Sequence, residues 1–515
     1  SVIGNEFPAW LLLKIAATPD APQRLERLLQ SGLVQATEAP ATFRFKHGLT
    51  REVVYDAVRI FERRELHRKV AEALESQFQN LGLADHYEVL AAHFARANQH
   101  RSASTYAELA GDKAAATSAL DGARHHYAAA LAQIDELPND ETSRRRWLAI
   151  VTKWSAACVY YPSREQLVVL ARAARYAEEL QDYQALALVL HWSGWIHYAL
   201  GSQEPAIEHL KRALELSERG HRDRATAQLL VNLGQSYAAS GEYEPALEFL
   251  NRGIDMKRRW QPPGVGGAYA IGCLALVKGD RGEFAAAHVH IQEALAMVRD
   301  TGNAVEGSLY GLLGMIQLWQ GSWQDALQTA ARGRATGERV NGHYVLAMCE
   351  ALASYARWRL DRSLLALDSL ARAVEWLERR DINLYLSFCS GHLARAELEA
   401  GRVELASEHA LRTLERAERG DALGKSMAHR VLAISKARLG SEDEAREHCE
   451  KALRAAEHRA SPREVALTEL TLGELELGWK RPDAARALLE TARARFQELH
   501  MAWHSAESDR LLHAR

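Results

Sequence analysis

A small-residue signature returns about every forty residues from residue 185 to the end of the chain. Its clearest member is an alanine, followed by alanine or leucine at helical spacing. Successive alanines lie 40, 41, 39, 40, 40, 39 and 40 residues apart, at Ala206, Ala246, Ala287, Ala326, Ala366, Ala406, Ala445 and Ala485. A constant period of this length indicates a repeat architecture, in which neighbouring units bury a continuous core.

Each repeat predicts two amphipathic helices. The first helix ends near a glycine, at Gly201, Gly241, Gly321, Gly401 and Gly440. We expect these glycines to adopt the left-handed conformation that ends a helix, and the alanine five residues later allows close helix packing. Only 12 of the 515 residues are proline, which favours helix throughout. The sequence therefore predicts an all-α superhelix of stacked helix pairs.

One repeat carries a recognisable motif. Between residues 233 and 246 the chain reads L-G-x-x-Y-x-x-x-G-x-Y-x-x-A, with Leu233, Gly234, Tyr237, Gly241, Tyr243 and Ala246 at the defined positions. This pattern resembles the tetratricopeptide repeat (TPR). The period of 40 exceeds the usual 34 and implies longer helices, as in the superhelical sensor domain of MalT-like regulators. Armadillo and HEAT repeats share the period but do not explain the glycine followed five residues later by alanine.

Residues 1–80 do not follow the repeat. The stretch "LVQATEAPATFRFKH" (33–47) predicts a β-hairpin, because Phe43 and Phe45 alternate and Pro40 lies in a turn. Helical segments flank the hairpin, and one long helix is expected over residues 51–75. We therefore predict a winged-helix-like domain over 1–80, irregular TPR-like repeats over 81–184 and regular repeats over 185–515.

The front of the chain carries a second resemblance. "SVIGNEFPAWLL", "FRFKHGLTREVVYDAV" and "RRELHRKVAEALE" are similar to the segment that follows the ATPase module in bacterial STAND/AAA-type signalling ATPases, especially those linked to class III adenylate cyclases or LuxR- and MalT-like regulators. The resemblance implies a winged helix leading into a TPR superhelix, with an NTPase domain upstream in the same polypeptide. Walker A, Walker B and cyclase motifs are absent from these residues.

The same resemblance implies that His47 contacts a nucleotide cofactor held by another domain. In STAND proteins a winged-helix histidine can contact the β-phosphate of ADP held by the neighbouring ATPase domain, and His47 in "FKHGL" occupies the matching place. The alternative is that His47 packs the hairpin onto the following helix. No cofactor is expected within this chain itself.

The first helices of a TPR array line its concave groove, where a protein, a peptide or a small-molecule inducer can dock. The repeat register places eight candidates there, namely His191, Trp195, Tyr198, Tyr269, Met315, Tyr355, Trp358 and Arg395. Aromatic groups with polar tips offer rigid contact area at a small entropic cost. The alternative is that these side chains pack in the interfaces between neighbouring repeats.

Composition argues against other partners. The formal net charge is −3, so no overall field attracts nucleic acid. Basic residues after the hairpin alternate with Glu52, Glu62, Glu65 and Glu72, which favours a salt-bridged surface over DNA binding. No apolar run approaches the roughly 18 residues of a membrane span, and we expect no membrane association.

The sequence also contains few residues arranged for metal binding or catalysis. The five cysteines are scattered without a C-x-x-C pair, which predicts neither disulfides nor a metal site and suits a cytoplasmic protein. No nucleophile, base and ligand set converges, so we do not expect an enzyme. Two functions remain open: a sensor and scaffold module that controls an upstream NTPase and effector, or a free-standing TPR scaffold. Self-association also stays open.

Two stretches interrupt the pattern. "RGDALGKSMAHR" (419–430) resembles a phosphate-binding loop but is one residue short, and its flanks are amphipathic helices instead of a buried strand. We predict a repeat boundary, with Gly420 as a helix cap and Lys425 and Ser426 solvated. "RRWQPPGVGGAYA" (258–270) is predicted to be a turn between repeats.

Overall fold

The computed structural model describes residues 1–117, 119–159, 161–259, 264–299, 301, 303–340 and 342–513. The chain divides into two compact units. The first comprises residues 1–161 and 169–185, and the second comprises residues 162–168 and 186–515.

The first unit begins with a small antiparallel sheet of three strands: β1 (Glu6–Pro8), β2 (Val34–Ala36) and β3 (Thr42–Phe45), in the order β1-β3-β2. Phe7 lies opposite Phe43, and Val34 lies opposite Phe45. The predicted hairpin is confirmed by β2 and β3. The third strand was not predicted, because three residues are too few to give a periodic signal and the pairing is distant in sequence.

The helices of the first unit, with one 3₁₀ turn over Leu83–His86, are α1 (Ala9–Ala16), α2 (Ala21–Gln30), α3 (Gly48–Ala57), α4 (Ile60–Phe78), α5 (Tyr87–Arg96), α6 (His100–Ala116), α7 (Leu120–Asp135), α8 (Glu141–Ala157) and α9 (Arg164–Glu179), whose first residues belong to the second unit. A core of apolar side chains joins α1, α4, α5 and α6, including Leu11, Val70, Leu90 and Phe94. The sheet and α2 share a separate small core.

The single long helix expected over residues 51–75 is wrong. Val58 and Arg59 are extended, with φ/ψ of −77/132° and −58/147°, and they separate α3 from α4. Four β-branched residues lie between positions 53 and 60 and lower the helix propensity there. A tertiary contact fixes the break, because the Tyr55 hydroxyl lies 3.0 Å from Nε2 of the buried His67.

Among the residues that the structure describes, the second unit contains eight helix pairs, named R1 to R8, and a final helix; only residues 183–185 at the start of R1 belong to the first unit. They are R1, α10 (Tyr183–Ala199) and α11 (Gln203–Arg219); R2, α12 (Asp223–Ser240) and α13 (Tyr243–Arg258); R3, α14 (Gly264–Asp280) and α15 (Phe284–Val298); R4, α16 (Ala304–Gln320) and α17 (Trp323–Arg339); R5, α18 (His343–Asp361) and α19 (Leu364–Arg379); R6, α20 (Leu386–Glu399) and α21 (Val403–Glu418); R7, α22 (Lys425–Arg438) and α23 (Glu442–His458); R8, α24 (Pro462–Gly478) and α25 (Pro482–Glu498); and α26 (Ala502–Leu512).

The predicted repeat register is confirmed. Every repeat alanine lies on the second helix of its pair and is buried. All five predicted cap glycines have positive φ, between 73° and 85°. The turn predicted over 258–270 is partly wrong, because α14 starts at Gly264, while residues 260–263 lie outside the described residues.

The turns inside R1 to R4 also contact later parts of the unit, namely the connections that follow R5, R7 and R8 and the final helix α26. Gly201 faces Asn383, Gly241 faces Arg459, Gly282 faces Leu499 and Gly321 faces His504. We call these contacts the seam. A Cβ atom at Gly201 would lie only 2.6 Å from the Cβ atom of Asn383, so the approach requires glycine. Within this unit, one turn of the superhelix therefore packs against the next, beyond the neighbour contacts that a repeat array needs.

A buried ionic network lies in the centre of the seam. The Asp280 carboxylate at the end of α14 accepts a hydrogen bond of 2.5 Å from the Tyr243 hydroxyl and pairs with Arg463. The Ser461 hydroxyl donates to the main-chain oxygen of Asp280 at 2.6 Å across 181 residues of sequence. Arg463 also lies over the Trp319 ring, 4.9 Å from its centre.

Glu464 extends this network on the other side. It pairs with Arg463 at 2.7 Å and with the buried Arg430. Burial raises the pKa of Glu464, but Arg430, Arg463 and Arg459 outweigh burial and hold the pKa well below its usual range. Buried charges persist only when they are paired in this way.

Candidate functional site

The eight residues predicted to line the groove lie on the first helices of R1 and R3 to R6. Tyr198, Met315, Tyr355 and Trp358 are buried. The other four are half-buried, namely His191, Trp195, Tyr269 and Arg395. Most of this surface is therefore in contact with protein in the closed superhelix.

Tyrosine side chains fill the interior. The Tyr198 hydroxyl lies 3.2 Å from that of Tyr269 and 3.3 Å from that of Tyr385. Burial raises the pKa of all three well above the usual value, so they stay neutral. The residual cavity beside Tyr269 and Met315 has a volume of only about 10 Å³, which barely admits one water molecule.

His191 belongs to a polar chain on this face. Its Nε2 lies 2.8 Å from Nδ2 of Asn232. Asn232 accepts from Gln228 at 2.8 Å, and Gln228 accepts from Lys257 Nζ at 2.7 Å. Burial, and then Lys257, lowers the pKa of His191 to about 4. The imidazole is therefore neutral at pH 7, which lets Nε2 accept the hydrogen bond from Asn232.

Trp358 and Arg395 meet at one carboxylate. The Trp358 indole N–H donates to Glu399 at 3.1 Å, and Arg395 Nε donates to the same carboxylate at 2.8 Å. Arg359 Nη1 donates to it at 2.6 Å. Both residues are thus engaged in packing between R5 and R6. Their role in holding a ligand, like that of the other predicted groove residues, stays a prediction.

His47 lies at the exposed N-terminal end of α3. Its backbone is extended, with φ −131° and ψ 131°, and its side chain makes no capping hydrogen bond. The side chain is accessible at the tip where the hairpin joins α3. Contact with a nucleotide held by another domain stays a prediction.

A polar cleft of about 350 Å³ opens within the second unit, where the turn of R1 meets the connections after R5 and R6. Its lining combines four arginines with four carboxylates, namely Arg164, Leu200, Gly201, Ser202, Glu378, Asp381, Asn383, Arg412, Glu415, Arg416, Arg419 and Asp421. The repeat pattern does not predict this cleft, because its walls are distant in sequence. One signal was present: Arg412, Arg416 and Arg419 recur at i, i+4 and i+7, on one face of α21 and its C-cap residue.

The stretch that resembles a phosphate loop forms one end of this cleft. Gly420 has φ +102° and follows α21, as predicted for a helix cap. The Gly424 N–H donates to Ser387 Oγ at 3.0 Å. Lys425 is exposed, but Ser426 is buried, so its predicted solvation is wrong. The first helices of the repeats have neighbours on both sides, which covers the first turn of α22.

The described residues contain neither a candidate metal site nor a candidate membrane-spanning helix. No group of three or more His, Cys, Asp or Glu side chains is placed to hold a metal ion in that part of the chain. None of the helices in the described ranges is both long enough and apolar enough to span a membrane.

One comparison with known protein families identifies the repeat. Residues 186–259 match the family model described as tetratricopeptide repeat. None of the curated proteins compared matches the chain.

Solved structures of similar fold include three complexes. A Rap protein complexed with competence and sporulation factor has 12% identity, a TM-score of 0.38, and coverage of 79% of this chain and 96% of that chain. The Rap conjugation gene regulator of plasmid pLS20 with the Phr* peptide has 12% identity and a TM-score of 0.48, covering 70% and 94%. The APC/C hetero-tetramer Cut9-Hcn1 has 14% identity and a TM-score of 0.46, covering 89% and 85%. The match covers nearly all of R1 and all of R2, and the same register continues through R8, so the second unit is a TPR-like superhelix of helix pairs.

Proposed function

We propose that the chain is the regulatory scaffold of a multidomain signalling ATPase, possessing one docking surface for an NTPase domain of the same polypeptide and helical repeats for a protein or peptide partner. The domain docks on the first unit beside His47, and the repeats restrain or release it. The proposal rests on the resemblance of the front segment and on one surface of this unit.

The observation that carries the proposal is an exposed apolar surface on α3 and the first turn of α4. No residue of α3 is buried. Leu49 is 75% exposed, Val53 is 63% exposed and Phe61 is 80% exposed. Leu49 and Val53 lie one helical turn apart, and an exposed apolar patch on a soluble protein marks an interaction site.

This surface is presented by a fixed helix. Tyr55 anchors α3 through its hydrogen bond to His67, and the Arg63 guanidinium lies 5.0 Å from the centre of the Tyr55 ring. Leu49 and Val53 are four residues apart and share one face of α3. His47 occupies the N-cap position of the same helix, so a domain seated on Leu49 and Val53 would have the imidazole at its edge.

The first test is the coding sequence upstream of Ser1. The proposal expects Walker A and Walker B motifs there, because an NTPase domain needs both to bind nucleotide and Mg²⁺. Their absence would contradict the proposal and favour the second interpretation, a free-standing TPR scaffold.

The second test uses the polypeptide that includes the NTPase domain. We expect the double substitution Leu49→Ser and Phe61→Ser to raise the ADP dissociation rate at least tenfold, and His47→Ala to raise it as well. Val289→Ser is the matched control, since Val289 is 67% exposed on α15. Equal ADP retention in all variants would rule out docking on α3. The thermal midpoint of residues 1–515 should be unchanged, because the substituted side chains are exposed.

A further inference from the structure

The polar cleft of the second unit is lined by charged groups that are not all joined in ion pairs. Arg164 pairs with Asp381 at 2.6 Å, Arg416 pairs with Glu378 at 2.6 Å, and Arg412 pairs with Glu408 at 2.5 Å. Each of these arginines already has an anion.

Three lining groups remain. Among the described residues, Asp421 and Glu415 have no cation within 4 Å, and Arg419 has no anion within that distance. The cleft therefore presents two unpaired carboxylates and one unpaired guanidinium.

Asp421 is the most deeply buried of these three groups. It is only 2% exposed, and its carboxylate accepts from the Ser387 N–H at 2.7 Å and from Ser387 Oγ at 2.6 Å. These bonds fix its oxygens at the wall of the cleft. A buried carboxylate without a cation is costly, and a positive group in the cleft would remove that cost.

We propose that the cleft binds a basic side chain, lysine or arginine, from a segment of a partner protein. The ammonium or guanidinium group lies between Asp421 and Glu415, and Arg419 binds a carbonyl or carboxylate oxygen of the same segment. A volume of about 350 Å³ accommodates one long side chain and the adjoining peptide unit. This site is separate from α3 and does not depend on the proposed NTPase domain.

Titration calorimetry of residues 1–515 tests the site with the blocked peptide acetyl-Gly-Arg-Gly-amide, and with acetyl-Gly-Glu-Gly-amide as the acidic comparison. We expect binding of the arginine peptide only. Glu415→Arg should weaken binding at least tenfold, and because Glu415 is exposed the variant should keep the fold. Glu404→Gln on the same helix but outside the cleft is the matched control and should bind normally.

A second variant and a change of pH address Asp421 itself. Asp421→Asn removes the charge and keeps an oxygen for Ser387, so it should weaken binding by a similar factor with an unchanged circular dichroism spectrum. Burial, against the hydrogen bonds from Ser387, raises the pKa of Asp421 to about 6, so affinity for the arginine peptide should fall from pH 7.5 to pH 5.5.

The other polar and ionisable groups near Asp421 do not contribute to this pH dependence. Ser387 and Cys389 face it from α20, Arg416 from α21 and Tyr344 from α18. Burial raises the pKa of Cys389 to about 12 and that of Tyr344 well above its usual value, so neither changes charge in this range. Arginine keeps its charge there.

Three outcomes would overturn the proposal. They are equal binding of the two peptides, undetectable heat with the arginine peptide at millimolar concentration, and unaltered affinity in both Glu415→Arg and Asp421→Asn. Binding of free L-arginine as tightly as the blocked peptide would show that the site takes a small molecule, which contradicts a partner segment.

Discussion

The turns of R1 to R4 and those of R5 to R8 have the same register but different surroundings. In the first half, each turn packs on a later part of the superhelix, whereas a Cβ atom added at Gly401 or Gly440 would meet no atom within 4 Å. The residue three positions before the repeat alanine changes accordingly. It is buried in R1 to R4, as Gln203, Tyr243, Phe284 and Trp323, and more exposed in R5 to R8, as Ser363, Val403, Glu442 and Pro482.

This difference teaches that one repeat motif serves two environments. The alanine and the turn set the geometry of each helix pair, since all eight alanines are buried whether or not the turn is covered. The side chain at the start of the second helix then decides whether that turn can join a seam. Large side chains at this position bury apolar area against the next superhelical turn, and small or charged ones leave the turn solvated.

The largest expected effect comes from breaking the buried network of the covered half. Asp280→Ala leaves Arg459 and Arg463 buried with one carboxylate fewer, and loss of one partner of a buried pair costs about 3–5 kcal/mol. We expect the urea midpoint of unfolding to fall accordingly. The matched variant is Glu442→Ala, which breaks the pair with Arg481 on the open half and should leave the midpoint nearly unchanged. Equal losses would contradict the distinction between the two halves.

A smaller loss is expected from the aromatic residue at the seam. Trp323 packs against Trp503, with ring centres 5.4 Å apart, and Arg359 lies 5.2 Å from the centre of its ring. Trp323→Ala should cost about 3 kcal/mol through lost burial and a cavity. Val403→Ala, at the same register position in R6, should cost clearly less because Val403 is only half-buried. The two midpoints, measured by thermal unfolding, should separate.

The pH dependence of stability should have opposite signs at two carboxylates of the second unit, the buried Asp421 beside the turn of R1 and the half-exposed Glu442 of R7. Burial raises the pKa of Asp421 from 3.8 to about 6, so the native state holds its proton more tightly than the unfolded chain. The stability associated with this proton is complete below pH 3.8 and is lost as the pH rises through 6, by up to about 3 kcal/mol. The free energy of unfolding of wild type, measured relative to Asp421→Asn, should therefore fall between pH 5 and pH 7.5.

Glu442 provides the opposite case. Hydrogen bonding from Arg481 lowers its pKa below 4.5, so its stabilising effect is present above that pH and is lost as the pH falls through the lowered pKa. Relative to Glu442→Gln, wild type should lose stability on acidification. The same sign of slope for Asp421 and Glu442 would refute the assignment of the two environments.

The smallest expected difference compares two glycines in equivalent turns. Gly201 has φ +73° and Gly401 has φ +83°, so alanine pays a left-handed penalty of about 1–2 kcal/mol at both positions. Gly201→Ala adds a clash with the backbone of Asn383, for which about 1 kcal/mol or more is expected. Chemical denaturation of the two variants measures the difference, and identical midpoints would mean that the seam is open in solution.

Sequence reasoning succeeded where the signal was local and repeated. The alanine register depends on residues within one helix pair and recurs in all eight repeats, and the predicted glycine caps recur in five of them. It failed at short or unrepeated features: the strand Glu6–Pro8, the helix break at Val58 and Arg59, and the burial of Ser426. The candidate cleft was missed for a related reason, because Gly201 and Asp421 are brought together only by superhelical closure.

By itself, the sequence determined that the chain is a superhelix of helix pairs, because period, caps and small residues act within each pair and between neighbours. Only the tertiary structure decided that the superhelix closes on itself, which buries Tyr198 and Met315 in a packed interior and brings the connections after R5 and R6 against the turn of R1. The reason is physical: the small rotations between neighbouring repeats add up over several pairs. No local sequence pattern specifies which later repeat then packs against an earlier one.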